Sequence, residues 1–287
     1  SRTLIMRRSF LRRLTDRLIL CPTRHPIDAD GKAPRWVRWG GGQLEIWTQR
    51  VGCEPSAVAE LYVLKFPGTA GRAERSTVHP ADAWPGLAVE LWTVNPPGYG
   101  GSSVTASLHH TAALADAVLE QFQAQAAGRP IAITGSSLGC VSALYLAARH
   151  AVAGLILRNP PPLREVMLAR FGWWPLKPGV QLLARQVPPE LCAIRNAAAA
   201  TAPAIFITAR QDRVVPPSCQ QQIADAYAGP KQVLYLAQAD HHTPMSDEET
   251  EQYRQRLDWL RQQMMPGRGA PGLRPLTNPH RRPCDSP

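Results

Sequence analysis

Along this chain, short dense apolar runs alternate with longer stretches in which apolar residues return every three or four positions. The runs "QLEIWTQ", "ELYVLKF", "LAVELWTVN", "PIAIT", "VAGLILRNP", "APAIFITAR" and "KQVLYLAQ" are rich in Val, Ile, Leu and aromatic residues and have the length of strands. Between and after them, "VTASLHHTAALADAVLEQFQAQAAG", "LGCVSALYLAARH", "PSCQQQIADAYAG" and "SDEETEQYRQRLDWLRQQM" keep a helical period. Strands alternating with helices predict an α/β fold, with a mostly parallel central sheet and helices on both of its faces.

Three segments depart from that rhythm. Near the start, Phe10, Leu11, Leu14, Leu18 and Ile19 fall near helical spacing with arginines on the other side. This predicts a helix within residues 1–38, and two roles suit it: packing against the domain, or resting as a basic amphipathic helix on an anionic membrane. Residues 160–203 are too long for an ordinary α/β connection and hold Trp173, Trp174 and several prolines, so a small helical cap insertion is expected there. The last stretch, 266–287, is rich in Pro, Gly and Arg and is expected to be disordered. The α/β domain itself is expected over 39–265.

Charge sharpens this division. The net charge of +10 sits at the ends: residues 1–38 carry ten Lys/Arg against three Asp/Glu, and 264–287 carry four Arg against one Asp. The body between them is neutral. A nucleic-acid-binding domain would need a basic face on the folded unit, so nucleic acid is not an expected partner. The six cysteines (21, 53, 140, 192, 219, 284) show neither CxxC pairs nor zinc-like spacing, and are expected to be reduced and buried or incidental. No run approaches the ~18 apolar residues of a membrane span. Arg12, Arg13, Asp16 and Arg17 interrupt any signal-peptide core in the first helix. A cytoplasmic protein is expected, with peripheral membrane contact through the first helix as the variant.

Candidate chemistry begins at "GSSLG", Gly135 to Gly139, between a predicted strand and a predicted helix. Read as G-x-S-x-G, it selects Ser137 and excludes Ser136 by spacing. A serine at such a turn has a strained backbone and a hydroxyl raised above the sheet. The glycines on either side avoid a clash, and the Leu138 N–H can face a developing oxyanion. A serine hydroxyl also needs a base, and the base needs an orienting carboxylate. Asp212 follows the strand "AIFITAR", and His241 and His242 follow "KQVLYLAQ" in "ADHHTP". Both positions lie beyond carboxyl ends of strands, where sites in such sheets are found. His109-His110 has no third ligand at metal spacing, so no metal is expected, and nothing suggests a phosphate-cradling loop.

Taken together, "FPGTAG", "NPPGYGGS", "GSSLG", "DRVVPP" and "ADHHTP" resemble the α/β-hydrolases over roughly residues 40–263, in particular the serine hydrolases (esterases and thioesterases) with small caps. The resemblance implies a sheet of about eight strands, with Ser137 as nucleophile, His241 as general base and then acid, and Asp212 as its partner. It also implies a second oxyanion donor at the Thr69 backbone N–H, although Pro67 stands where the family usually has histidine. His241 rather than His242 matches the family position. Asp240 then reads as a carboxylate capping its own loop.

Further residues keep two readings each. Tyr99 in "PPGYGGS" is either a shaper of the site's rim or a plain turn residue. Trp173 and Trp174 are either packing residues or substrate contacts suited to an apolar acyl or alcohol group. Cys140, just after the turn, is expected to be buried at the helix–sheet interface. The implied activity is hydrolysis of carboxylic esters, with thioesters open to the same machinery. The substrate would be a small-molecule or lipid-like acyl ester, and no cofactor is called for. The rival reading is a binding protein that uses the same fold without catalysis.

Overall fold

The computed structural model describes residues 2–29, 32–40, 42–52 and 57–267, with side chains of the first helix from Ser9 onward. The expected disorder of the tail lies almost wholly outside these residues, as do Cys53 and Cys284. In chain order the elements are α1 (Arg2–Ile19), β1 (Pro34–Trp39), β2 (Gly42–Val51), β3 (Leu61–Phe66), β4 (Val89–Asn95), α2 (Thr111–Ala126), β5 (Ile131–Ser136), α3 (Gly139–Ala147) and β6 (Gly154–Arg158). Then follow α4 (Leu163–Phe171), α5 (Lys177–Ala184), α6 (Ala193–Ala199), β7 (Ala204–Ala209), α7 (Pro217–Ala226), β8 (Lys231–Leu236) and α8 (Asp247–Met264).

The strands form one eight-stranded sheet in the order β1-β2-β4-β3-β5-β6-β7-β8. Only β2 runs against its neighbours, pairing antiparallel with both β1 and β4; all other pairs are parallel. Each of the seven predicted runs becomes a strand. β1 is an addition to them. Its sequence "PRWVRW" places only Val37 fully inside, so no apolar run marks it, and its pairing with β2 makes it a strand. The sheet therefore starts at Pro34, and the domain boundary expected after residue 38 would cut this strand.

Period-two alternation builds two cores. Tyr62, Leu64, Phe66, Trp92, Val94, Ile133, Leu155, Leu157 and Phe206 face the side covered by α2, α3 and α7. Leu61, Val63, Leu91, Ile156, Ile205 and Ile207 face the side where Tyr253, Leu257 and Leu260 of α8 pack. On that second side the crossover from β3 to β4 has no α-helix, only two 3-10 turns at Ala73–Arg75 and Ala81–Ala83. Trp84 fills the space instead, its indole N–H donating to the Leu257 carbonyl at 3.2 Å. α8 begins with a capping box, in which Ser246 and Glu249 each accept the other's backbone N–H.

The segment 160–203 folds as three helices. α6 packs with α3 and α7, while α4 and α5 pair with each other and α5 meets α1. The first helix is docked on the domain. Thr15, fully buried, donates to the Leu183 carbonyl of α5 at 3.2 Å. Asp16 accepts from the Ser107 hydroxyl at 2.8 Å and from the Leu108 N–H at 2.9 Å. Leu20 enters the first core. Among the described residues no helix is long and apolar enough to cross a membrane.

The first core has an aromatic centre in which Phe122 of α2 meets Tyr62 of β3 edge-on at 5.7 Å between centroids, and Trp92 of β4 at 4.9 Å. Phe122→Ala would empty that centre and is expected to cost about 3–5 kcal/mol, read as a lowered denaturant midpoint with unchanged slope.

Candidate active site

β3 and β5 are neighbours at the middle of the sheet, yet the chain leaves them toward opposite edges. Their carboxyl ends thus border the crevice of a topological switch point. Ser137 stands there, one residue past β5 and two before α3. Its φ is +49°, a left-handed conformation that a non-glycine residue adopts at a cost. The Ser137 N–H donates to the Arg158 carbonyl at 2.8 Å, and its own carbonyl accepts from Cys140 N–H at 2.9 Å, so β6 and α3 hold the turn. Close approach explains the glycines. A methyl on Gly135 would stand 2.6 Å from the Cys140 Cα, and one on Gly139 would overlap the Phe66 carbonyl. A methyl on Gly68, in the loop after β3, would stand 3.2 Å from the Ser137 Cβ.

The loops after β7 and β8 bring the other two groups to this turn. His241 Nε2 lies 3.0 Å from Ser137 Oγ, and His241 Nδ1 lies 2.6 Å from Asp212 Oδ2. Asp212 is fully buried, and its Oδ1 accepts the N–H groups of Val214 and Val215, both at 2.8 Å. A carboxylate oxygen accepts, so the tautomer that fits this geometry has Nδ1 donating to Asp212 Oδ2 and Nε2 accepting from the serine hydroxyl. His242 is exposed; its ring stands edge-on to that of His241 at 5.0 Å and makes no hydrogen bond to Ser137 or Asp212. Asp240 accepts from the N–H groups of His242 and Thr243, both at 2.9 Å, and from the Thr243 hydroxyl, and so shapes its own loop.

Two supports of this arrangement carried no sequence signal. Gln220 of α7, fully buried, donates to Asp212 Oδ2 at 2.9 Å and to the Val215 carbonyl at 2.8 Å. Asn159, just past β6 with φ +49°, donates to the His241 carbonyl at 3.2 Å while its Oδ1 accepts the Ala209 N–H at 3.1 Å. One ties the carboxylate to its helix and the other ties the histidine loop to the sheet. A Gln or Asn amid unremarkable neighbours advertises neither role.

Comparison with known proteins agrees with this architecture. The sequence profile for the alpha/beta hydrolase fold matches residues 81–177. Est1E from Butyrivibrio proteoclasticus superposes with a TM-score of 0.61 at 14% identity, covering 80% of this chain and 98% of that one. The Pyrococcus furiosus esterase Pf2001 gives 0.61 at 13% identity, covering 86% of this chain and all of that one (100%). This chain has the α/β-hydrolase fold. An acylaminoacyl peptidase from Pyrococcus horikoshii is also similar, with a TM-score of 0.60 at 15% identity over 81% of this chain and 42% of that longer one. No protein of curated function matches by sequence.

Within this α/β-hydrolase fold the remaining expected residues fall as follows. Leu138 caps α3, and neither its N–H nor that of Thr69 donates to a protein acceptor among the described residues. The Thr69 hydroxyl reaches the Ile19 carbonyl at 3.4 Å, which brings the end of α1 to this loop. Tyr99 is buried and lines a cavity of about 50 Å³ shared with Leu138, Gly68 and Leu20. Trp173 and Trp174 do not pack, contrary to one expectation. They sit at the turn between α4 and α5, 64% and 81% exposed, with no element among the described residues over them.

Cys140 is wholly buried, and burial pushes its thiol well above the usual range, which suits a packing role. Cys192 and Cys219 are free thiols, as is exposed Cys21. Behind the turn, on the α8 side, a separate cavity of about 410 Å³ is lined by Lys65, Arg75, His79, Arg158, Ser136 and Tyr253. Burial lowers the Lys65 ammonium to about 8, with Asp82 opposing the shift and Lys32 adding to it. Burial lowers His79 as well, against the pull of Asp82 at 3.0 Å. Ser137, His241 and Asp212 do not line this cavity.

Substitution of two glycines checks the packing of the turn. Gly139→Ala should destabilise the fold by about 2–3 kcal/mol, because the added methyl meets backbone that cannot yield. Gly179→Ala in α5, where a methyl meets nothing within 4 Å, should leave the melting temperature unchanged or slightly raised.

Proposed function

We propose that this protein is a serine-dependent hydrolase of carboxylic esters. The observation that carries the reading is the unbroken hydrogen-bond chain from Asp212 through His241 to Ser137, at 2.6 and 3.0 Å. In the proposed reaction Ser137 Oγ attacks the ester carbonyl while His241 Nε2 takes its proton. The new C–O bond leaves a tetrahedral oxyanion, and in this scheme the N–H groups of Leu138 and Thr69, which have no protein acceptor among the described residues, receive it. The imidazolium, steadied by ionised Asp212, then gives its proton to the departing alcohol oxygen. Water, deprotonated by the same nitrogen, cleaves the acyl-enzyme and restores the hydroxyl. The serine proton leaves on the alcohol and a water proton, passed through His241 Nε2, replaces it on Ser137 Oγ, so the scheme calls for no cofactor.

Several features support this reading beyond the distances. The strain at Ser137 and the buried, four-times-hydrogen-bonded carboxylate are costs that packing alone does not explain. Gln220 and Asn159 act in it as positioning residues for Asp212 and His241. Among the similar folds, Pf2001 is an esterase and Est1E has been solved with ferulic acid bound, which favours an ester. The peptidase with the same fold shows why the site, and not the fold, must carry the choice. We further infer an apolar acyl group, since the cavity beside Leu138 is lined mainly by Leu20, Phe66, Pro96, Pro97 and Tyr99.

The test is hydrolysis of p-nitrophenyl esters from acetate to palmitate. Wild type should turn over at least the shorter members, and Ser137→Ala should lose kcat by a factor of about 10⁴ or more. His242→Ala should stay within about twofold of wild type, since the exposed ring takes no part in the proton path. Equal rates in wild type and Ser137→Ala would remove the serine from the reaction.

A further inference from the structure

We propose that the exposed turn joining α4 to α5, together with the outer face of α1, is a docking surface for an anionic lipid bilayer. The starting observation is an exposure that packing does not explain. Phe171, Trp173, Trp174 and Leu176, at the apex of the α4–α5 pair, are exposed by 49%, 64%, 81% and 50%. Leu168 on one helix and Leu182 on the other extend the same apolar surface down both flanks. Meanwhile α5 satisfies the core with other residues: Ala184 is buried, and Val180 and Leu183 pack against the first core. The apex therefore holds a surplus of large apolar side chains, contiguous in sequence and in space.

Charge identifies the occupant. From Leu168 to Val187 the chain carries Arg170, Lys177 and Arg185 and no Asp or Glu, and all three cations are exposed. The Arg170 guanidinium lies over the Phe171 ring at 5.2 Å, so cation and aromatic group share one face. α1 packs against α5 and adds exposed Arg12, Arg13 and Arg17, with Phe10 and Leu18 outward among them. Indoles with an apolar body and a polar edge, flanked in the chain by the exposed cations Arg170 and Lys177, match the interface of a bilayer bearing anionic headgroups. A second protein fits less well, since a convex turn between two short helices offers little of the roughly 800 Å² per partner that stable protein interfaces bury. The inference differs from a membrane role for α1 alone. α1 spends Thr15, Asp16 and Ile19 on the domain, so it supplies charge while the tryptophans supply insertion.

The surface also adjoins the site. Arg170 reaches the Val214 carbonyl at 3.5 Å, and the Val214 N–H is one of the donors to Asp212. A protein docked at the apex would hold its crevice beside the lipid. The docking itself does not depend on the hydrolase reading.

Cosedimentation of the full chain with vesicles tests it. Wild type should bind phosphatidylcholine vesicles containing phosphatidylglycerol and bind pure phosphatidylcholine weakly, with affinity falling as salt rises. The double variant Trp173→Ala/Trp174→Ala, at exposed positions, should keep its circular dichroism and melting temperature but lose at least about tenfold in vesicle affinity. Quenching of tryptophan fluorescence by brominated lipid should fall in the same variant. Absence of binding to the anionic vesicles would overturn the proposal. So would a double variant that binds as tightly as wild type, because α1 would then act by charge alone.

Discussion

The site depends on one backbone constraint, the left-handed conformation of Ser137 at the junction of β5 and α3. That conformation points the hydroxyl out of the sheet while the chain reverses from strand to helix within three residues. Chain can turn so sharply only where its surroundings yield, and they do so at three glycines. Gly135 lies against the start of α3, Gly139 against the end of β3, and Gly68 against Ser136 and Ser137 from the neighbouring loop. The strain is held in place by backbone hydrogen bonds to β6 and by a tightly packed α3. It is a local cost supported by the whole centre of the sheet.

Convergence of the other groups follows from the parallel arrangement. Because β5, β6, β7 and β8 all point the same way, the loops after them open on one edge, and residues far apart in sequence meet there without long side chains. Ser137 and His241 are 104 positions apart, yet Ser137 Oγ and His241 Nε2 are 3.0 Å apart. The supporting contacts use the same edge. Asn159 joins the loop after β6 to the histidine loop, and Gln220 joins α7 to the carboxylate. Each is a neutral amide, so the carboxylate and the histidine loop are held without adding a competing ion.

The apex of the α4–α5 pair obeys a different economy. Elsewhere, large apolar residues close two cores on either face of the sheet, and Trp84 even stands in for a missing helix. At the apex the same residue type faces outward, surrounded by cations. The apex lies next to the loop that holds Asp212, reached by the Arg170 guanidinium at the Val214 carbonyl.

Much of this was legible in the residues themselves. Period-two and helical patterns marked seven strands and the helices between them, because burial on a sheet or a helix face leaves its spacing in the sequence. The order of Ser137, Asp212 and His241, each just past a strand end, placed three groups on one edge once the sheet was taken as parallel. The spacing of Gly135 and Gly139 chose between adjacent serines. What the sequence could not decide were matters of long-range packing. β1 exists because β2 offers it a partner, not because "PRWVRW" is apolar. Gln220 and Asn159 matter only because the fold turns one amide to the Asp212 carboxylate and the other to the backbone of the histidine loop. Trp173 and Trp174 look like core residues in one dimension, and only the three-dimensional chain shows that no element among the described residues covers them. Local patterns record which face of an element is buried; which distant group meets a side chain, or whether any does, is settled when the elements assemble.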